Sequence, residues 1–379
     1  MIKGIIIFFT VLLMGSIHPD KKGRIFIDSH FRPDTAARTT KVLINFNDSI
    51  PDDTLTIFFL ANNFPEAFCR NIHTAVCIDS LCRLVDIKLY WEITGKFIGY
   101  SLPPGEELTK REHVPFLESD YKRLSEILSD STSQLGFYST EEIHPVKQAV
   151  KKSDGITGAT LPDLSPWIVP EAAYTSYTLW HLVYGATRDS IMNYTKKNLL
   201  SNQLLTNILN NKDPYNKIMA LRWVSESDMT ASQFIEPALT ILRSGSYQSS
   251  GQALKFLKFS GIDQERLQME SIKLLESEEF RIKNLAIEYI RESDKLTRPV
   301  AQALMNHLNN DNYYLVNVIL SLLEKRYNPD YEDQLKLSTL LDSKNENVSN
   351  RVYYFLLNLP GQTPDLAKQL NRYRKKNGL

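Results

Sequence analysis

The residues best placed to do chemistry lie in one stretch, Asp154-Gly155-Ile156-Thr157-Gly158-Ala159-Thr160-Leu161. Small side chains leave the backbone amides open and set threonine hydroxyls on an accessible turn. Such a loop can cradle a phosphate with its N–H groups, or accept a group transferred onto the Thr160 hydroxyl. It lacks the lysine of a Walker P-loop and the three-glycine spacing of a Rossmann turn. On residue types alone an ordinary structural turn is the better account. A second set, Cys69, His73, Cys77 and Cys82, has C-x3-H-x3-C-x4-C spacing. It matches no common zinc motif, so a disulfide or free thiols are the better reading. Cys77 and Cys82 are the closer pair and are expected to be joined, with Cys69 left over.

Other catalytic patterns are missing: there is no G-x-S-x-G elbow, no H-E-x-x-H and no EF-hand string. The segment Leu108 to His113 is polar and charged, and reads as a solvated loop.

The elements that must position the loop come before and after it. Val42 to Asn47 and Thr54 to Leu60 read as short strands. In Leu84 to Ile93, apolar Val85, Ile87, Leu89, Trp91 and Ile93 alternate with polar partners, which predicts a half-buried strand. Thr94-Gly95-Lys96 turns it into a second strand, Phe97 to Leu102. An amphipathic helix follows, with Ser119 as N-cap and Tyr121, Leu124, Ile127 and Leu128 on one face. Beyond the loop a further helix ends near Gly185 and carries Tyr174, Tyr177, His181 and Tyr184 at spacings of three and four.

The string D-x-x-[ST]-G-A-T, present as Asp154 to Thr160, resembles the flavinylation motif of FMN-binding domains. Such domains occur in the periplasmic flavoprotein subunits of sodium-translocating quinone reductases and of their Rnf relatives. The hairpin Gly95-Lys96-Phe97-Ile98-Gly99-Tyr100 resembles the Gly-rich hairpin that precedes the motif in that family. The likeness spans roughly Leu84 to Gly185. It implies FMN held by a phosphoester to Thr160, with Asp154, Gly155, Thr157, Gly158 and Ala159 as the recognition loop. It also implies an exported flavin transferase that installs the group from FAD. One position departs: the family often has Ser or Thr two residues after the modified threonine, where this chain has Pro162. The tyrosines and His181 of the following helix could stack on an isoalloxazine and tune it. Packing on the sheet is the simpler account of that face.

From about Lys196 onward the chain overlays on itself at a 33-residue offset. One column is Leu209, Leu242, Leu275, Leu308 and Leu341, beside Ile208, Ile241, Leu274, His307 and Leu340. A second set holds Ala220, Ala253, Ala286, Ile319 and Val352, then Trp223, Phe256, Tyr289, Leu322 and Phe355, then Val224, Leu257, Ile290, Leu323 and Leu356. Each unit predicts two helices too small to bury their own apolar face, so neighbours must stack. The ankyrin and tetratricopeptide signatures are missing, and the units look like short, degenerate HEAT-like repeats. The periodic aromatics read as core.

Lys3, the apolar run Ile5 to Met14 and the small residues Gly15 and Ser16 have the order of a secretory signal peptide. The run is shorter than the ~20 residues needed to span a bilayer. Lys and Arg total 44 and Asp and Glu total 44, which argues against nucleic acid as a partner. The expected organisation is a signal peptide at 1–18, an α+β FMN-binding-like domain at 19–190 and an all-α solenoid of 33-residue helix-pair repeats at 196–379. The expected function is that of a periplasmic or otherwise exported flavoprotein. It would carry FMN covalently and take part in electron transfer, while the solenoid docks a redox or structural protein partner. No membrane span is expected after signal cleavage. The alternative is an exported interaction protein whose front domain keeps the fold and binds no flavin.

Overall fold

A computed structural model describes residues 23–27, 30–46, 48, 50, 54–75, 84–110, 113–143, 164–227, 231–308, 312–324 and 326–379. The chain divides into two units, Met1–Leu199 and Leu200–Leu379. The signal-like run, Cys77, Cys82 and the loop from Asp154 to Thr160 lie outside the described residues.

Among the described residues the first unit holds six strands: β1 Arg24–Ile27, β2 Arg38–Leu43, β3 Thr54–Phe59, β4 Pro65–Thr74, β5 Val85–Glu92 and β6 Phe97–Leu102. They form one antiparallel sheet in the order β1-β6-β5-β4-β3-β2, a meander from β2 to β6 with β1 added beyond β6. The alternation along β5 sets its two faces apart: Ile87, Leu89 and Trp91 are fully buried on one, while Lys88 is exposed on the other. The buried face packs on helices α1 Glu118–Ser129, α3 Ala173–Tyr184 and α4 Ala186–Tyr194, with the short α2 Thr140–Ile143 beside α3. Trp91 Nε1 donates to the Val183 carbonyl at 3.0 Å, and Tyr100 Oη to that of Tyr121 at 3.1 Å, so each aromatic polar atom is satisfied inside the layer. The opposite face is closed at one end by Phe31, which packs with Phe58, Ala67, Cys69, Tyr90 and Ile98.

Three expectations change. The strand expected over Val42 to Asn47 ends at Leu43, because the chain then turns so that Phe46 lies under the Arg70 guanidinium, 3.7 Å from it. Ser119 does not cap α1. The helix begins at Glu118, and Asp120 reaches back to accept the Leu117 amide at 2.8 Å. The start of the segment expected as a solvated loop, Leu108 to Lys110, is held by the fold, while His113 is exposed: Leu108 is fully buried, its amide donates to Tyr121 Oη, and Lys110 pairs with Asp120 at 2.8 Å.

The second unit is helical: α5 Asn202–Leu209, α6 Pro214–Ser225, α7 Ile235–Ser244, α8 Tyr247–Leu257, α9 Gln264–Ile272, α10 Phe280–Arg291, α11 Arg298–Asn306, α12 Tyr313–Leu323, α13 Tyr331–Ser338, α14 Glu346–Leu357 and α15 Pro364–Asn377. Local chemistry starts many of them. Ser201, Asp213, Ser246, Asp263, Asn312, Asp330, Asn345 and Thr363 each accept a backbone amide of the first turn. Helices α6, α8, α10, α12 and α14 begin at Pro214, Tyr247, Phe280, Tyr313 and Glu346, 33 residues apart, and pack in succession. Ala220, Ala253, Ala286, Ile319 and Val352 are fully buried along that succession. Trp223, Phe256, Tyr289, Leu322 and Phe355 are core residues as well.

Candidate functional site

Asp154, Gly155, Thr157, Gly158, Ala159 and Thr160 fall outside the described residues, but both flanks of that segment are fixed. On the near side Ile143, closing α2, is buried. On the far side a short turn, Ser165–Trp167, is held by Arg123 of α1, whose guanidinium donates to the Pro166 carbonyl. Val169 is fully buried and donates to Ser176 Oγ of α3 at 2.9 Å. Helices α1, α2 and α3 therefore set where the motif segment leaves and rejoins the fold.

The aromatic face of α3 is packed. Tyr177 and His181 lie 4.0 Å apart between ring centroids, with His181 Nδ1 hydrogen-bonded to the Tyr177 carbonyl at 2.9 Å. Trp180 and Tyr184 stand 4.9 Å apart. Trp180 Nε1 donates to the Asp130 carbonyl at 2.9 Å and Tyr184 Oη to that of Leu128 at 2.7 Å, both at the end of α1. These polar atoms join two helices of the layer, which favours the packing account of this face.

The Gly-rich hairpin has a local reason for its glycines. Gly95 adopts φ +79° in the turn, where its amide donates to the Glu92 carbonyl at 2.9 Å. Gly99 has φ +142°, and a Cβ there would stand 2.1 Å from the Phe26 carbonyl oxygen on β1. Only glycine lets β1 pair with β6 at that point.

Cys69 is a free, buried thiol on β4. Burial is the main cause pushing it up to about 12, so it is protonated and unreactive at neutral pH. Its neighbour Tyr90 bonds Ser101 Oγ at 3.0 Å. Cys69 and His73 are both on β4, four residues or roughly 13 Å apart along an extended strand, too far to share one zinc ion. That overturns a zinc reading which uses both. Among the described residues no group of three His, Cys, Asp or Glu side chains could hold a metal ion.

Two features carried no signal in the sequence. One is a cleft of about 400 Å³ lined by Arg24, Ile25, Phe26, Gly105, Glu106, Glu107 and Glu118. Arg24 pairs with Glu118 and lies 4.6 Å over the Tyr121 ring. The other is Arg70, fully buried on β4, which donates to Asp48 and to Thr187 of α4.

No family model, no curated protein and no solved structure matches the chain. Among the described residues no helix is long and apolar enough to cross a membrane.

Proposed function

We propose that this protein is an exported flavoprotein that carries FMN on Thr160 through a phosphoester and takes part in electron transfer. The observation that carries the reading is the string from Asp154 to Thr160, in which a threonine hydroxyl ends a run of small residues. When bound, FMN supplies the redox chemistry. The chain would supply the Thr160 oxygen for the ester, and the backbone amides of Gly155, Gly158 and Ala159 would donate to phosphate oxygens. An α+β layer that anchors both flanks of the loop is consistent with such a role.

The helical unit is proposed as an α-solenoid of 33-residue helix pairs, akin to short HEAT-like repeats, that docks a protein partner. The even spacing of α6, α8, α10, α12 and α14, and their packing in succession, support it. So do the side-chain links between neighbouring pairs. Lys258 reaches Glu292, Arg298 reaches Glu332, and Arg351 reaches both Asn317 and Glu324.

Pro162 favours a second reading, an exported interaction protein without flavin, since it stands where relatives of the motif often carry a hydroxyl residue. Co-expression with a flavin transferase, with export to the periplasm, separates the two. A fluorescent band on a denaturing gel and an intact mass increased by one FMN support the flavoprotein. A colourless protein of unmodified mass rejects it.

A further inference from the structure

Helix α15 has two stripes of opposite character. Leu366, Leu370 and Tyr373 are buried, and Tyr353 of α14 stacks on Tyr373 at 5.0 Å. Lys368, Arg372 and Lys375 follow the same spacing of four and three, and all are exposed. At 100° per residue the basic stripe stands roughly opposite the apolar one. Lys376 flanks it and is exposed too.

The charge on this face is unbalanced. From Pro364 to Leu379 the basic side chains are Lys368, Arg372, Arg374, Lys375 and Lys376, against the single acid Asp365. Asp365 already accepts the Tyr331 hydroxyl at 3.2 Å. Many cations of this unit meet a carboxylate on a neighbouring helix, as Arg243 meets Glu270, Lys258 meets Glu292 and Arg266 meets Glu236. Among the described residues Lys368, Arg372, Lys375 and Lys376 meet none. The helix dipole favours cations in the last turn, which accounts for Arg374, Lys375 and Lys376. It does not reach Lys368 or Arg372. In a chain with equal numbers of acidic and basic residues, folding gives no reason to gather unpaired cations on one outer face.

We propose that the outer face of α15 docks on an anionic phospholipid bilayer. The apolar stripe is engaged inside the protein, so the helix cannot insert, and the remaining attraction is between ammonium or guanidinium groups and lipid phosphates. A straight stripe of flexible cations, roughly 10 Å from Lys368 to Lys375, meets a plane of headgroups that can move laterally to match it. Four basic residues on one helix face stand at the lower end of the cluster sizes, about four to eight, that recognise anionic lipid. The proposal stands apart from the flavin reading and from Thr160.

The test is flotation of the full chain with vesicles of phosphatidylcholine alone and of phosphatidylcholine mixed with phosphatidylglycerol. Binding is expected to the mixed vesicles only, and to weaken as salt is raised. Neutralising Lys368, Arg372, Lys375 and Lys376 to Gln should lower partitioning about five-fold per charge. A matched variant, Lys212→Gln with Arg222→Gln, Lys255→Gln and Lys344→Gln, removes the same charge from exposed positions elsewhere in the unit and should keep binding. Circular dichroism and melting of both variants establish that they fold. Absence of binding to the mixed vesicles, equal loss in the two variants, or retention of α15-dependent binding only toward a soluble polyanion such as heparin overturns the proposal.

Discussion

Arg70 and Asp48 form a two-point ion pair, Nη1 to Oδ2 at 2.5 Å and Nη2 to Oδ1 at 3.0 Å. The same guanidinium donates to Thr187 Oγ1 of α4 at 2.7 Å and covers the Phe46 ring. One buried cation thus joins the central strand β4, the segment that follows β2 and a helix of the opposite layer. A lone guanidinium in that position would be costly, and Asp48 is what makes its burial tolerable.

Asp48→Asn should therefore destabilise the first unit by about 3 kcal/mol, the low end for breaking a buried pair, since the carboxylate itself is partly exposed. The pair also has a pH signature. Burial raises the Asp48 carboxyl, but the Arg70 hydrogen bond and the Ile50 amide outweigh it and hold the group below the ordinary carboxylate value. A depressed folded value gives stability that is fully present above the unfolded value of about 3.9. It is lost as the pH falls from there through the folded value. Melting curves taken downward from about pH 5 should show the parent losing this increment and the Asn variant lacking it. Parallel curves would show that Asp48 does not set the acid limb.

In the helical unit, Leu275→Ala should cost about 2–5 kcal/mol, as for other buried leucine truncations. Leu275 is 4% exposed in the turn between α9 and α10. Thermal and urea melts check it. A variant that melts like the parent would mean the column through Leu209, Leu242, Leu275, Leu308 and Leu341, of which Leu308 alone is only half-buried, bears no packing energy.

Legibility in the sequence followed the physical signal. The helical unit was readable because burial repeats at fixed intervals: Trp223, Phe256, Tyr289, Leu322 and Phe355 occupy one column and are all buried. Strand β5 and its hairpin were readable because Val85, Ile87, Leu89 and Trp91 alternate with polar residues. Strand β4 was not, because Glu66, Arg70, Asn71 and His73 interrupt its apolar residues, and Arg70 faces inward against the pattern. Its partners lie 22 and 117 positions away, beyond any local window. The cleft beside Arg24 shares that cause, since Arg24, Glu106 and Glu118 meet only once β1 pairs with β6.

Cysteine chemistry gives a third prediction. Cys69, buried and pushed up to about 12, should resist alkylation in the native protein at pH 8 and react once the protein is unfolded. Peptide mapping, without reductant, of protein expressed with export to the periplasm should find Cys77 joined to Cys82 and Cys69 in no bridge. Recovery of Cys69 in a disulfide, or rapid native labelling of its thiol, contradicts its placement inside the sheet.

The flavin reading stands on Thr160, because only a side-chain hydroxyl can form the phosphoester. Thr160→Val keeps the shape and removes the oxygen, so it should abolish covalent flavin while the protein folds and exports as before. Thr157→Val is the control, a hydroxyl lost from the same loop at a position the motif does not modify. Both variants are co-expressed with a flavin transferase and read by gel fluorescence and intact mass. Loss of the adduct in the first and retention in the second locates the bond. Retention in both places the flavin elsewhere. If the parent carries no adduct, Pro162→Ser tests the remaining point of departure from the motif: a gain of flavin assigns the block to the proline, whereas continued absence leaves the interaction protein as the reading of the front unit.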